Sequence, residues 1–86
     1  LFVNKPMTGK DYQVRAQKLT TEGDEIAKNY FRASDEESFR MLRRLKNIAG
    51  DLGDLVADAK KQGVSEVDKL ERDVNRWIAA KRYLLD

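Results

Sequence analysis

The sequence contains no histidine, no cysteine and only one proline among its 86 residues. Without histidine and cysteine the chain has no thiol nucleophile, no imidazole base near neutral pH and no zinc site of the Cys/His type. It also lacks the Gly-x-Ser-x-Gly and Gly-x-x-x-x-Gly-Lys motifs of serine hydrolases and phosphate-binding loops. These absences predict a protein that is not an enzyme and that holds no cofactor and no metal ion.

Long apolar runs and an excess of charge of one sign are also missing. No stretch of about 20 apolar residues is present, so the sequence predicts neither a membrane-spanning helix nor a membrane partner. Lys and Arg number 17 against 15 Asp and Glu, and the formal net charge of +2 is small for a polyanion-binding protein. Since residues 1–3 do not resemble a signal peptide, we expect a single soluble domain over residues 1–86 in the cytoplasm.

The first helix is predicted over residues 9–33, because apolar side chains recur there at alternating steps of four and three residues. Gly23 is the weak point of this segment, since glycine costs about 1 kcal/mol relative to alanine inside a helix. Its presence predicts either a break near residues 20–24 or a close approach by a neighbouring helix. The apolar face consists of Tyr12, Ala16, Leu19, Gly23, Ile26 and Tyr30.

The second helix is predicted over residues 35–62 and has the clearest end signals. Ser34 and Glu37 match a capping box at its start. Gly63 suits the left-handed conformation that commonly follows the last turn of a helix. The apolar stripe of this segment, which includes Leu45, is wide enough to contact two neighbouring helices.

The third helix is predicted over residues 66–85, opened by Ser65 and Asp68 in a shorter capping pattern. Residues 1–8 are predicted to form an extended arm, because the residue before Pro6 is disfavoured in helical geometry. No alternation of period two is long enough to predict a strand.

Short connections between these segments make each helix run antiparallel to the one before it. The expected fold is therefore all-α, an antiparallel up-down-up three-helix bundle. The same segments would also suit a helical hairpin that dimerises into a larger bundle, because a small domain gains stability from self-association. The apolar spacing fits both arrangements.

An acidic row on the second helix is level with basic residues of the third in this arrangement. The row consists of Asp51, Asp54 and Asp58. Pairing of the helices about the intervening turn sets Asp51 level with Arg76, Asp54 level with Arg72 or Asp73, and Asp58 level with Lys69. Such a row is either a ladder of ion pairs, each worth about 0 to 1 kcal/mol, or a site for a metal ion or a basic partner. We expect the ladder, since the spacing does not match a calcium-binding loop.

The bundle topology also collects positive charge and aromatic side chains at one end of the molecule, which we call the basic pole. Its eight cations come from all three helices, and four carboxylates oppose them locally. The cations are Lys28, Arg32, Arg40, Arg43, Arg44, Lys46, Lys81 and Arg82, and the carboxylates are Asp35, Glu36, Glu37 and Asp86. The aromatic residues in the same half are Tyr30, Phe31, Phe39, Trp77 and Tyr83.

Three interpretations of the basic pole follow from these residue types. It is a solvated end of the bundle core, a surface that binds an acidic protein, or a surface that contacts nucleic acid phosphates with Arg43 and Arg44 as adjacent donors. As the functional hypothesis we take a non-catalytic protein-interaction module, such as an adaptor, inhibitor or accessory subunit. The alternative is a small nucleic-acid-binding accessory protein. The candidate partner-binding residues are Arg40, Arg43, Arg44, Lys81, Arg82, Phe39 and Tyr83.

Overall fold

The structure is a computed structural model that describes residues 7–86, and these residues form an all-α fold. Its elements are α1 (Gly9–Asn29), a single 3₁₀ turn (Tyr30–Arg32), α2 (Asp35–Gln62), α3 (Val67–Ala80) and α4 (Arg82–Leu85). Of the predicted arm over residues 1–8, the first six residues lie outside the described part of the chain. None of the helices within residues 7–86 has both the length and the apolar content needed to cross a membrane.

Side-chain caps set the starts of the first two helices. Thr8 and Asp11 form a capping box on α1, in which each side chain accepts a hydrogen bond from the backbone N–H of the other residue. Hydrogen bonds from Thr8 hold the pKa of Asp11 below its usual range. Ser34 accepts a hydrogen bond from the backbone N–H of Glu37 at 3.3 Å, which confirms the predicted start of α2. Gly63 ends that helix in the left-handed conformation, with φ of 64°.

The third predicted helix differs from the structure at both ends. It begins at Val67, preceded by Glu66 in the left-handed region, and no side chain caps it, so the predicted cap from Ser65 is wrong. The helix is interrupted at Lys81. The backbone N–H of Lys81 is shared between the carbonyls of Trp77 and Ile78. The separate short helix α4 that follows places Leu84 in the core.

Contacts between the helices confirm the up-down-up arrangement. Tyr12 near the start of α1 donates a hydrogen bond to Asp58 near the end of α2, at 2.6 Å. The α1 and α2 helices are therefore antiparallel. Trp77 near the end of α3 donates to Asp24 in the second half of α1, at 2.9 Å, so α1 and α3 run in the same direction.

Apolar side chains from all three long helices form the core. The α1 helix passes through Gly23 without a break. A Cβ at this position would overlap the indole of Trp77. The glycine therefore serves the close approach of α3, the second of the two predicted roles. The buried apolar residues are Tyr12, Ala16, Ala27, Leu45, Ile48, Leu52, Val56, Ala59, Leu70, Val74 and Leu84.

Candidate functional site

The basic pole is built where the 3₁₀ turn and α4 pack against the first half of α2. Ala27, Leu45 and Leu84 form the buried layer beneath it, with Trp77 packed against them. Because the interruption at Lys81 turns α4 back onto α2, the C-terminal residues of the described chain join this end of the molecule.

Three aromatic side chains at the basic pole are exposed to solvent. The exposed fractions are 74% for Phe31, 68% for Phe39 and 62% for Tyr83. The only other exposed large apolar residue within residues 7–86 is Val14, at 43%. The ring of Phe31 touches Tyr30 edge-on, with centroids 5.1 Å apart. The aromatic surface of the molecule is therefore concentrated at this end.

Arg44, one of the predicted binding residues, is engaged within the molecule. Its guanidinium donates two hydrogen bonds to Glu22 of α1, from Nε at 2.6 Å and from a terminal nitrogen at 2.9 Å. The hydrogen bond from Arg44 holds the pKa of Glu22 below its usual range, and the pKa of Arg44 is raised in turn. This bidentate pair joins α1 to α2, so Arg44 is not equivalent to its neighbour Arg43.

Lys81 is likewise held inside the bundle. Its side chain is only 16% exposed, and its Nζ lies 2.9 Å from the Oδ1 atom of Asp24 and 5.2 Å from the ring centroid of Trp77. Trp77 donates to the same carboxylate oxygen. Burial raises the pKa of Asp24, but hydrogen bonds from Lys81 and Trp77 outweigh it, and the net pKa is lowered. Lys81 therefore connects α3 to α1, and its charge is neutralised there.

The other predicted cations remain on the surface. Arg40 pairs with Glu36 at 3.1 Å and Arg82 with Asp86 at 3.8 Å, each one helical turn away and largely exposed. None of the ion pairs formed within residues 7–86 includes Arg43. The structure thus divides the seven predicted residues into two that bind carboxylates of α1, Arg44 and Lys81, and five that make no contact with α1 of this kind, Arg40, Arg43, Arg82, Phe39 and Tyr83.

The predicted ladder between the acidic row of α2 and α3 is wrong. Asp51, Asp54 and Asp58 line a groove between α2 and α1, and Asp58 accepts the hydrogen bond from Tyr12. That hydrogen bond raises the pKa of Tyr12. The ion pair between α2 and α3 is instead formed by Lys60 and Glu71. No group of carboxylates in residues 7–86 is arranged to hold a metal ion.

A second stripe on α2, opposite its buried face, was not recognised from the sequence. Its members recur at steps of four and three residues and are all exposed. We call it the outward stripe, and it consists of Phe39, Arg43, Lys46, Gly50, Gly53 and Ala57. A Cβ added at Gly50 or Gly53 would meet no atom within 4 Å. The spacing of two glycines in the middle of a long helix was the available signal.

Comparison with known proteins identifies no relative of this chain. No protein-family model, no curated protein and no solved structure matches it.

Proposed function

We propose that this protein is a non-catalytic interaction module that binds an acidic protein partner through the exposed part of the basic pole. The observation that carries the proposal is the exposure of Phe31, Phe39 and Tyr83 at the end of the molecule where the cations lie. Interfaces are enriched in aromatic residues and arginine, and buried aromatic anchors supply much of their binding energy.

Exposed aromatic rings at one end favour a partner over a solvated surface. Covering apolar area gains about 25 cal/mol per Å², and aromatic side chains offer large areas. Within the chain, little of this free energy is realised for the rings of Phe31 and Phe39, since each is more than two-thirds exposed. Binding of a partner that covers the rings would be stabilised by burial of their remaining exposed area.

The charges around these rings favour an acidic partner. Arg40 and Arg82 form exposed pairs with carboxylates of their own helices, and such pairs are worth about 0 to 1 kcal/mol. A partner carboxylate can therefore replace Glu36 or Asp86 at small cost. Arg43 enters no ion pair within residues 7–86, so it is the strongest candidate for a direct contact. Complementary charge also speeds association and selects among partners.

Nucleic acid binding would use the same cations, so the test must distinguish it from binding of an acidic protein. Carboxylates among the cations, such as Glu36 and Asp86, oppose phosphate binding, which is why we favour a protein. Phosphate binding weakens steeply with salt, by a slope set by the number of phosphates contacted.

The test is capture of partners by the immobilised chain from a lysate of its source cells, compared with two charge-reversed variants. Arg43→Glu reverses one cation of the basic pole, and Arg72→Glu makes the same change at an exposed position of α3. We expect Arg43→Glu to lose the captured partner and Arg72→Glu to retain it, with helicity unchanged in both. Capture that is equal for the two variants would exclude the basic pole as the binding site. Capture of nucleic acid, with a steep salt dependence, would establish the alternative function.

A further inference from the structure

We infer that the partner of the basic pole is a second copy of this chain, bound antiparallel along the outward stripe of α2 so that the acidic second half of its α2 lies against Arg43. This inference rests on the proposed function and names its partner. It is carried by three properties of α2: the symmetry of the outward stripe, the sizes of its side chains and the distribution of charge along the helix.

The outward stripe is symmetric in spacing about Ile48. Lys46 and Gly50 lie two residues on either side of it, and Arg43 and Gly53 lie five. Phe39 and Ala57 lie nine residues on either side. When two copies of α2 pack antiparallel about a twofold axis at Ile48, residues equally far from Ile48 on the two copies face each other. The steps of four and three keep all of these pairs on the same face of the helix.

The facing residues are complementary in size. Each large side chain of the outward stripe, namely Phe39, Arg43 or Lys46, faces a small residue of the other copy. The two glycines leave the α2 backbone uncovered, and glycine inside a helix costs about 1 kcal/mol relative to alanine. Nothing in the described chain uses the space beside Gly50 and Gly53, in contrast to Gly23 beneath the indole of Trp77. Close approach of a second helix, with cation stems lying over the glycines, uses that space.

The charges of α2 are complementary to those of a second α2 that runs in the opposite direction. Residues 40–46 contain four cations and no carboxylate, and residues 51–58 contain three carboxylates and no cation. In the antiparallel pair, Arg43 lies opposite position 53 of the other copy, which is one residue from that copy's Asp54. Glu36 lies opposite position 60 of the other copy, which is one residue from that copy's Lys61. Each contact occurs twice because the interface is symmetric.

Contacts within the chain leave this face uncovered. Arg44 and Asp58 are held against α1 by Glu22 and Tyr12, and Lys60 is held against α3 by Glu71. These contacts place α1 and α3 on the other sides of α2. The outward stripe is exposed, and Asp54 is exposed as well although it also lines the groove between α2 and α1.

The experiment is sedimentation equilibrium of the full chain and of two charge reversals, alone and mixed. Arg43→Glu places two carboxylates together at each of the two symmetric contacts, and Asp54→Arg places two cations together. We expect each variant alone to weaken self-association by about tenfold. An equimolar mixture of the two should recover the original association, because every contact in the mixed dimer joins unlike charges. Arg72→Glu is the matched control and should leave self-association unchanged, and circular dichroism should report the same helicity for all chains.

The outcomes separate this inference from the proposed function. A chain that stays monomeric across the concentration series overturns the second copy as partner. In that case, Arg43-dependent capture of another protein keeps the proposed function, and its absence removes that too. A dimer that neither charge reversal weakens, or that the mixture fails to restore, overturns the antiparallel packing of α2.

Discussion

The two faces of α2 follow the same spacing rule and have opposite environments. The inward face is nearly inaccessible to solvent, with Leu45, Ile48 and Leu52 at 0% exposure, whereas every member of the outward stripe is exposed. The residues of both faces recur at steps of three and four along the sequence. Spacing thus determines which residues share a face, and residue type determines whether the chain itself buries that face. The inward face therefore holds the bundle together, whereas the outward stripe is the face on which we propose that a second copy binds.

The largest effect is expected from a charge placed on the inward face. Leu45→Asp buries an unpaired carboxylate where α1, α2 and α4 meet, and should cost about 4 kcal/mol or more, enough to unfold the bundle. The adjacent change Lys46→Asp, on the outward stripe, should leave the fold intact. Urea denaturation followed by circular dichroism measures both. A cooperative unfolding transition for Leu45→Asp near that of the original chain would mean that the inward face is wrongly assigned.

The next largest effect is expected at a glycine, because Gly23 is packed against Trp77 whereas no atom lies close to Gly50. Gly23→Ala introduces a Cβ that overlaps the Trp77 indole, so α1 and α3 must separate. We expect a loss of about 1–3 kcal/mol in the free energy of unfolding. Thermal denaturation measures this, with Gly50→Ala as the control. An unchanged melting temperature for Gly23→Ala would show that α3 does not approach α1 closely at Trp77.

Acid should weaken the contacts that hold Lys81 inside the bundle. The pKa of Asp24 is lower in the folded chain than in the unfolded one, so its stabilising effect is present at neutral pH. This effect is lost as the pH falls below about 4, through the folded-state pKa. Asp24→Asn should cost about 0.5–1 kcal/mol at pH 7, a value reduced by solvent screening of the carboxylate. Urea titrations at pH 7 and pH 3 should show that the variant and the original chain differ less in acid. An equal difference at both pH values would contradict the assigned ion pair.

A gain in stability is expected on the outward stripe. Gly50→Ala and Gly53→Ala each add a methyl group in open space within a regular helix. Each should raise the free energy of unfolding by about 0.5–1 kcal/mol, because alanine has less backbone entropy to lose than glycine. Urea denaturation at low chain concentration, where self-association is weak, is the appropriate measurement. Destabilisation by either change would mean that the space is occupied.

The smallest effect on folding is expected from Arg43→Glu. Because Arg43 is exposed and forms no ion pair within residues 7–86, its reversal should change the free energy of unfolding by less than about 0.5 kcal/mol. Arg44→Glu should cost more, since it places a carboxylate beside Glu22. The same urea titration compares them, and equal losses would contradict the different roles of the two arginines.

Much of the fold was predictable from local sequence signals. Ser34 and Gly63 determined the bounds of α2, because caps depend on residues close in the chain. The interruption at Lys81 was not predictable, since Ala79, Ala80 and Lys81 all favour helix. It accompanies the burial of Leu84 against Leu45 and Ala27, a contact between residues distant in sequence.

The candidate site was predictable only in outline. The sequence placed the cations and aromatics at one end, because that follows from helix order alone. It could not separate Arg43 from Arg44, since their pairing depends on which side of α2 faces α1. The same unknown rotation explains the error at Asp58, which lies against Tyr12 rather than α3.

The most direct test of the outward stripe as a binding face is cross-linking through a single introduced thiol, because the chain has no cysteine of its own. Asn47 lies beside the proposed twofold axis, and Asn75 is an exposed asparagine on α3. With a short bis-maleimide reagent, Asn47→Cys should give covalently linked dimers and Asn75→Cys should remain monomeric. Equal cross-linking of the two variants, or none for Asn47→Cys, would contradict the pairing of chains along α2.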